Sequence, residues 1–249
     1  MKISMFQAAL GIAPFLVLVG GSSADIFSDI GYDALVARLG SEVPSGAGVG
    51  VVQVEVPAPG YSPQQGNGQF FGIEFIERSG ATEPSSHASE VGFNFYGSKE
   101  SVAPGIPTVN LYDVNDFIGS GYLRLGSSSL PDSPPGGARI FNHSWIGSLG
   151  GSNDVLALRR ADYAANTFGT LWIMGVNNGA GSDSFALLAG MHHGISVGLS
   201  DGDHDASDTG TGTEIQGRMK PEIVAPGDFT SFSTPVVSAC AALLYETAS

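Results

Sequence analysis

Apolar residues along this chain fall into short blocks whose spacing switches between two periods. From Asp25 to Leu39, Ile26, Ile30, Ala34 and Ala37, with Leu35 and Leu39 beside them, recur near the helical period, and Gly40 closes the segment. One helix is expected there. Val51 to Val56 reads Val-Val-Gln-Val-Glu-Val, β-branched and apolar enough for a central strand, and Pro57 and Pro59 stop it. A helix is expected over Ser86 to Tyr96, with strands over Thr108 to Val114 and Arg139 to Ser144. Asn153 is placed to cap a helix through Asn166, with Val155, Leu158, Ala161 and Ala165 on one face and Gly169 beyond its end. Leu171 to Val176 and His193 to Val197 read as two more buried strands. Apolar strands alternating with helices predict an α/β fold of three layers, a mostly parallel central sheet with helices on both faces. The Gly-, Ser-, Pro- and Asp-rich stretches at Pro57 to Gly68, Gly119 to Gly137 and Ser200 to Gly217 are loops.

Composition narrows the picture. With 249 residues, 42% of them hydrophobic, and no interdomain linker or repeat, one domain with one substantial core is expected. Ten basic residues against 24 acidic ones give a formal charge of -14, which opposes nucleic acid and anionic lipid as partners. A soluble monomer is the expected form. The chain opens Met-Lys, runs apolar from Met5 to Gly20, and reaches small residues at Ser22, Ser23 and Ala24. That is the pattern of a secretory leader over 1–24, cleaved after Ala24, which leaves 25–249 as an exported domain with no membrane attachment. Cys240 is the only cysteine, so no internal disulfide forms, and its apolar neighbours suggest a small core residue.

Candidate chemistry gathers near the far end. Lys220-Pro-Glu-Ile-Val-Ala-Pro-Gly227 leads into Thr230-Ser231-Phe232-Ser233-Thr234-Pro235 and an apolar stretch from Val236 to Leu244. Thr230 is suited to cap a helix there and Pro235 to sit in its first turn. Ser231 would then lie beside the unpaired N–H groups of a helix start, where a developing anion is favoured. An ordinary capped core helix is the plain alternative. In an open parallel sheet, reacting groups collect at the carboxyl ends of strands. Glu55 ends the first strand, His87 begins the next helix and Ser231 begins the last.

These segments resemble those of the subtilases. Gly48-Val-Gly-Val-Val-Gln-Val-Glu55 is similar to the family strand that ends in its catalytic acid, and Ser86-His-Ala-Ser-Glu-Val-Gly92 to its histidine helix. Ala103-Pro-Gly105 with Thr108 to Val114, Asn142-His-Ser-Trp-Ile-Gly147, Trp172-Ile-Met-Gly-Val-Asn-Asn-Gly179 and Gly194-Ile-Ser-Val-Gly198 follow in family order, and the Ser231 region completes the set. The order acid, histidine, serine is that of subtilisin-type enzymes. The resemblance implies a subtilisin-like fold and a secreted serine endopeptidase acting on polypeptides. Glu55 would orient His87, His87 would take the Ser231 proton, and Asn177 would stabilise the oxyanion, with Asn178 as the alternative one residue on. Ser144, Trp145, Ile146 and Gly147 would line the substrate cleft.

The chain departs from the family at named points. The acid is Glu55 instead of Asp, and Phe229 replaces the glycine before Thr-Ser. Asp228 and Phe229 alone separate Gly227 from Thr230, and Ser86, Ala88 and Ser89 replace the residues around the family histidine. The alternative they favour is a subtilase-fold binding or surface module with weak or no turnover. About 23 residues separate the expected cleavage point from the first strand, too few for the family's inhibitory propeptide. The chain also stops soon after the nucleophile helix, as a truncated product would.

Three other signals resolve to structure. Ser196 matches a Gly-x-Ser-x-Gly pattern, but turn residues follow it where a nucleophile elbow needs a helix. Asp201, Asp203, Asp205 and Asp208 offer oxygens for a structural Ca²⁺, yet lack the turn glycine and distal Glu of an EF-hand. A solvated loop is the expectation, and the implied chemistry requires no cofactor. His192, His193 and His204 lack zinc spacing, and His143 is expected on a strand near the cleft.

Overall fold

The computed structural model describes residues 23–182, 187–208 and 217–248. The expected leader lies outside them apart from Ser23 and Ala24, and so does part of the Asp-rich loop, 209–216. Two short helices open the structure, α1 (Ser23–Asp29) and α2 (Tyr32–Leu39). One helix was expected there, but Gly31 adopts φ 76 and ψ 13, a left-handed conformation that ends the first helix and starts a second. Gly40 closes α2 as expected.

The remaining elements are β1 (Val51–Glu55), β2 (Glu74–Glu77), α3 (Ser86–Tyr96), β3 (Thr108–Asp113), α4 (Val114–Asp116), β4 (Ile140–His143), α5 (Ser152–Phe168), β5 (Leu171–Gly175), β6 (Gly194–Leu199), β7 (Ser207–Asp208), β8 (Met219–Lys220), β9 (Ile223–Ala225) and α6 (Thr230–Thr247). Seven strands form one sheet in the order β2-β3-β1-β4-β5-β6-β9. Every neighbouring pair is parallel. The first strand of the chain is therefore interior, between β3 and β4. β7 and β8 pair separately and antiparallel. Edge strand β2 carries only Glu-Phe-Ile-Glu, too short a pattern to stand out in the sequence.

All five residues of β1 are buried, because both faces of the sheet are covered. Successive side chains alternate between those faces. Val52 and Val54 join Phe141, Trp172 and the α5 residues Ala157, Ala161 and Ala164. Val51 packs with Phe95 and Tyr96 of α3 and Ala239 and Ala242 of α6. Gln53 and Glu55 share that second face.

The same alternation corrects the placement of His143. Its neighbour Asn142 faces α6 and accepts a hydrogen bond from Ser238 Oγ at 2.8 Å. His143 therefore points the other way, fully buried in the aromatic layer. It stacks on Trp172 with ring centres 5.0 Å apart, and its Nδ1 accepts from Trp145 Nε1 at 3.2 Å. It is a core residue, not a cleft residue. Burial alone pushes its pKa down to about 3, so it stays neutral.

Two helix starts also differ from expectation. Gly151 is the N-cap residue of α5, and the first turn is held by Asp154, whose carboxylate accepts from the Leu149 N–H and the Ser148 hydroxyl, both at 2.6 Å. Asn153 lies inside the helix. In α6, Phe229 holds the N-cap position, and Pro235 is the sixth helical residue instead of a first-turn one. Small residues on α6 (Ser233, Ser238, Ala239, Ala242) are buried and bring the helix close beneath the sheet. Near its far end, the Glu246 carboxylate accepts from the N–H groups of Ser45, Gly46 and Ala47 at 2.7, 2.6 and 3.1 Å. That grip fastens the loop leading into β1 to the last helix. Among the described residues, no helix is long and apolar enough to cross a membrane.

His143 gives the fold a defined pH response. Between its native value of about 3 and the ordinary 6.5, the unfolded chain binds a proton that the folded one refuses. Stability therefore falls as pH drops through that window, by up to about 1.4 kcal/mol per pH unit from this group. His143→Phe keeps the stacked ring and removes the titration. Denaturant unfolding at pH 6.5 and pH 4 should show a shallower loss in the variant, and an equal loss would refute the assignment.

Candidate active site

The acid and the imidazole come from adjacent elements. Ser85 caps α3, its hydroxyl accepting from the Ala88 N–H at 3.3 Å, which fixes the first turn and sets His87 at the second helical position. The start of α3 meets the carboxyl end of β1, and His87 Nδ1 lies 2.8 Å from Glu55 Oε2. The carboxylate is buried, with 1% of its side-chain surface accessible, while His87 keeps 39%. His87 Nε2 has no partner among the described residues. Desolvation pulls the imidazole pKa down, but the Glu55 charge, its hydrogen bond and the charge of Glu90 outweigh it, so the net shift is upward.

The serine stands on the same rim, on α6. Phe232, the next residue, packs 5.8 Å from the His87 ring, centre to centre. The Ser231 hydroxyl makes no hydrogen bond to His87. It donates instead to the Ser144 carbonyl at 3.2 Å. The expected three-membered arrangement is thus present as a pair, Glu55 with His87, and a neighbouring hydroxyl engaged elsewhere.

A side chain from another strand completes the start of α6. Asn178, just beyond β5, accepts from the Thr230 N–H at 2.7 Å, and Thr230 Oγ1 lies 3.0 Å from the same oxygen and 2.6 Å from the Val176 carbonyl. Thr230 is therefore the first helical residue and is itself capped, contrary to the expectation that it serves as the cap. Gly175 permits this approach: a Cβ there would lie 3.1 Å from Thr234 Oγ1 and 3.3 Å from Thr230 Oγ1. Asn177 is half-buried, its carbonyl accepting from the Asp205 N–H at 3.0 Å, and its side-chain oxygen is buried without a partner. Pro235 has no N–H to offer the carbonyl four residues back, which is that of Ser231.

The segment from Ser144 to Gly147 presents backbone more than side chains. Ser144 and Trp145 are buried, and the Gly147 carbonyl accepts from the Leu187 N–H at 2.8 Å. Ile146 alone is partly open. Phe229 is half-exposed and meets Phe232 edge-on at 5.9 Å. The other singled-out groups have structural partners. Ser196 is buried in β6, with its N–H and hydroxyl both donating to Glu222. His204 is buried against the Asp205 carbonyl, and His192 lies beside Arg218. Asp203 accepts from the Ala180 N–H, and Asp201 from the Asp203 N–H. Cys240 is only partly buried, with its thiol pKa raised by burial.

Sequence reasoning missed Gln53 and Tyr96. Gln53 Nε2 donates to Glu55 Oε1 at 2.9 Å and to the Ala88 carbonyl at 3.0 Å, and the Tyr96 hydroxyl donates to Gln53 Oε1. The signal was a polar residue two positions before the acid in an otherwise apolar strand.

The Subtilase family model matches residues 85–249, well over half of the chain. No curated protein matches the chain in sequence. Among solved structures, the prenylagaramide maturation protease PagA is 18% identical with a TM-score of 0.55, over 85% of this chain and 80% of that one. A cold adapted subtilisin-like serine proteinase is 17% identical with a TM-score of 0.54, over 82% and 77%. The S41 psychrophilic protease is 18% identical with a TM-score of 0.55, over 82% and 79%. At such identities the structural likeness speaks for the fold, and the sequence model speaks for descent. Sheet order, the acid–imidazole pair at the rim and the match through the last helix agree: this chain belongs to the subtilase family of serine-type peptidases.

Proposed function

We propose that the protein is an exported serine endopeptidase that hydrolyses peptide bonds with Ser231, His87 and Glu55. The observation that carries this reading is the 2.8 Å contact between a buried carboxylate and a partly exposed imidazole whose other nitrogen is unengaged. Ser231 Oγ attacks the substrate carbonyl carbon as its proton passes to His87 Nε2. The imidazolium, held by Glu55 at Nδ1, returns that proton to the leaving amine, and water repeats the cycle on the acyl-enzyme. For this the hydroxyl must leave the Ser144 carbonyl for Nε2, and such contacts commonly tighten when substrate binds. The backbone from Ser144 to Gly147 flanks the acyl side. Residues 1–24 support export.

The oxyanion donors are the Ser231 N–H and one of the paired asparagines. Asn178 is the better supported, because its side-chain oxygen is pinned to Thr230 and leaves its amide N–H₂ free beside the nucleophile. Asn177 remains the other candidate. A second reading, a subtilase-fold module without turnover, is favoured by one observation, the engagement of Ser231 with Ser144 in place of His87.

A fluorophosphonate probe decides between the two. It should modify Ser231, and Ser231→Ala should abolish both labelling and hydrolysis of a denatured protein. Folded protein that stays unlabelled would leave only the module reading.

Replacing the oxyanion donor should cost on the order of 100- to 1000-fold in kcat, the size measured for such an asparagine in a relative of this family. Asn178→Ala should show that loss and Asn177→Ala should not. The reverse pattern would transfer the role to Asn177.

Because Glu55 and Glu90 raise the His87 pKa, the acid limb of kcat/KM should lie above pH 6.5. Glu90→Gln removes one of those charges without touching the reacting groups, so the limb should move to lower pH. An unmoved limb would show that another group controls it.

A further inference from the structure

Only one oxygen of Glu55 meets His87. The other accepts from Gln53 Nε2 at 2.9 Å. Gln53 lies two residues earlier on the same strand, so both side chains emerge on the α3 face of the sheet. Its second Nε2 hydrogen goes to the carbonyl of Ala88, next to His87, and its oxygen receives the hydroxyl of Tyr96 at the end of α3. Gln53, Glu55 and Tyr96 are all 0% exposed. The contacts therefore form a closed circuit: Tyr96 to Gln53 to Glu55 to His87, then back along the helix that carries both ends. Gly92 opens the space for it, since a Cβ there would lie 2.7 Å from the Tyr96 hydroxyl and 3.0 Å from the Phe70 ring. Burial first, and the Glu55 charge second, hold the Tyr96 hydroxyl protonated well above its ordinary range, so it remains a donor.

We propose that Gln53 and Tyr96 are positioning residues that brace the longer acid of this chain, fixing the Glu55 carboxylate where His87 needs it. A glutamate has one more rotatable bond than an aspartate, and its terminal torsion is broad. Held by His87 alone, the carboxylate would be free to swing about that contact. Held by the Gln53 amide as well, its plane is set, and Gln53 is itself fixed from two points on α3. The extra methylene is accommodated by an anchor within the same strand. The effect on turnover rests on the peptidase reading above, whereas the effect on the imidazole proton does not.

Two measurements separate those outcomes: the NMR resonance and solvent exchange of the His87 Nδ1 proton in free protein, and kcat and KM on a peptide. Tyr96→Phe removes one oxygen and keeps the ring, and Gln53→Leu removes the donor to Glu55. Each should speed exchange of the Nδ1 proton and lower kcat by roughly 10- to 100-fold with KM nearly unchanged, the scale of a misplacement approaching 1 Å. In a Glu55→Ala background, Tyr96→Phe should lower kcat no further, because it acts through Glu55. Well-folded Tyr96→Phe protein with an unchanged Nδ1 proton and unchanged kcat would overturn the brace. An equal drop in the Glu55→Ala background would overturn it too, showing a general packing role. If the parent protein turns over no substrate, the peptidase reading fails, and the exchange measurement still decides the brace. If Gln53→Leu does not fold, Tyr96→Phe alone decides between brace and packing.

Discussion

The structure is organised around one buried negative charge. Glu55 ends an interior strand, and its carboxylate is shut away from water on the α3 face of the sheet. An isolated charge in such a place is prohibitively unfavourable, and stripping a partner from a buried pair costs about 3–5 kcal/mol. The protein meets that constraint by bringing α3 over the end of β1, so that an imidazole reaches one oxygen, and by placing a glutamine on the other. The position of α3 follows, with Ser85 fixing its first turn and Tyr96 tying its last residue to the same network.

The second organising feature is the start of α6. Its first N–H is satisfied by Asn178, a side chain 52 residues away in the chain, which locks the serine helix to the end of β5. Two of the departures from the family pattern, Phe229 and the shortened link before Thr230, lie here. Phe229 packs on Phe232, and Phe232 on the His87 ring, so the shortened link before Thr230 presents apolar surface beside the imidazole.

Much of this was legible in the sequence, and most of what was not lies in contacts between distant residues. The strand at Val51, the helix at Ser86 and the helix ending at Gly169 declare themselves through period and punctuation, which are local. The meeting of Glu55 and His87 was readable from a strand end and a helix start, whereas the engagement of the Ser231 hydroxyl with Ser144 was not. Gly31 was passed over because an isolated glycine inside a helical pattern signals a break only when its backbone turns left-handed. The facing of His143 required knowing which side of the sheet Asn142 takes. The Asn178–Thr230 contact and the Tyr96–Gln53 contact join residues far apart in the chain, and no window of sequence displays them. What the chain does locally could be read directly; which polar groups satisfy one another across the core could not.

The grip of Glu246 on the amides of Ser45, Gly46 and Ala47 joins points 201, 200 and 199 residues apart. A topology closed over such separations meets its loop-closure entropy late and folds slowly. During synthesis, β1 and α3 emerge early and can bring acid and imidazole together, while the hydroxyl arrives only when α6 docks and the clasp shuts. Assembly itself thus acts as a timer, placing the three groups on one rim only after α6 has been made.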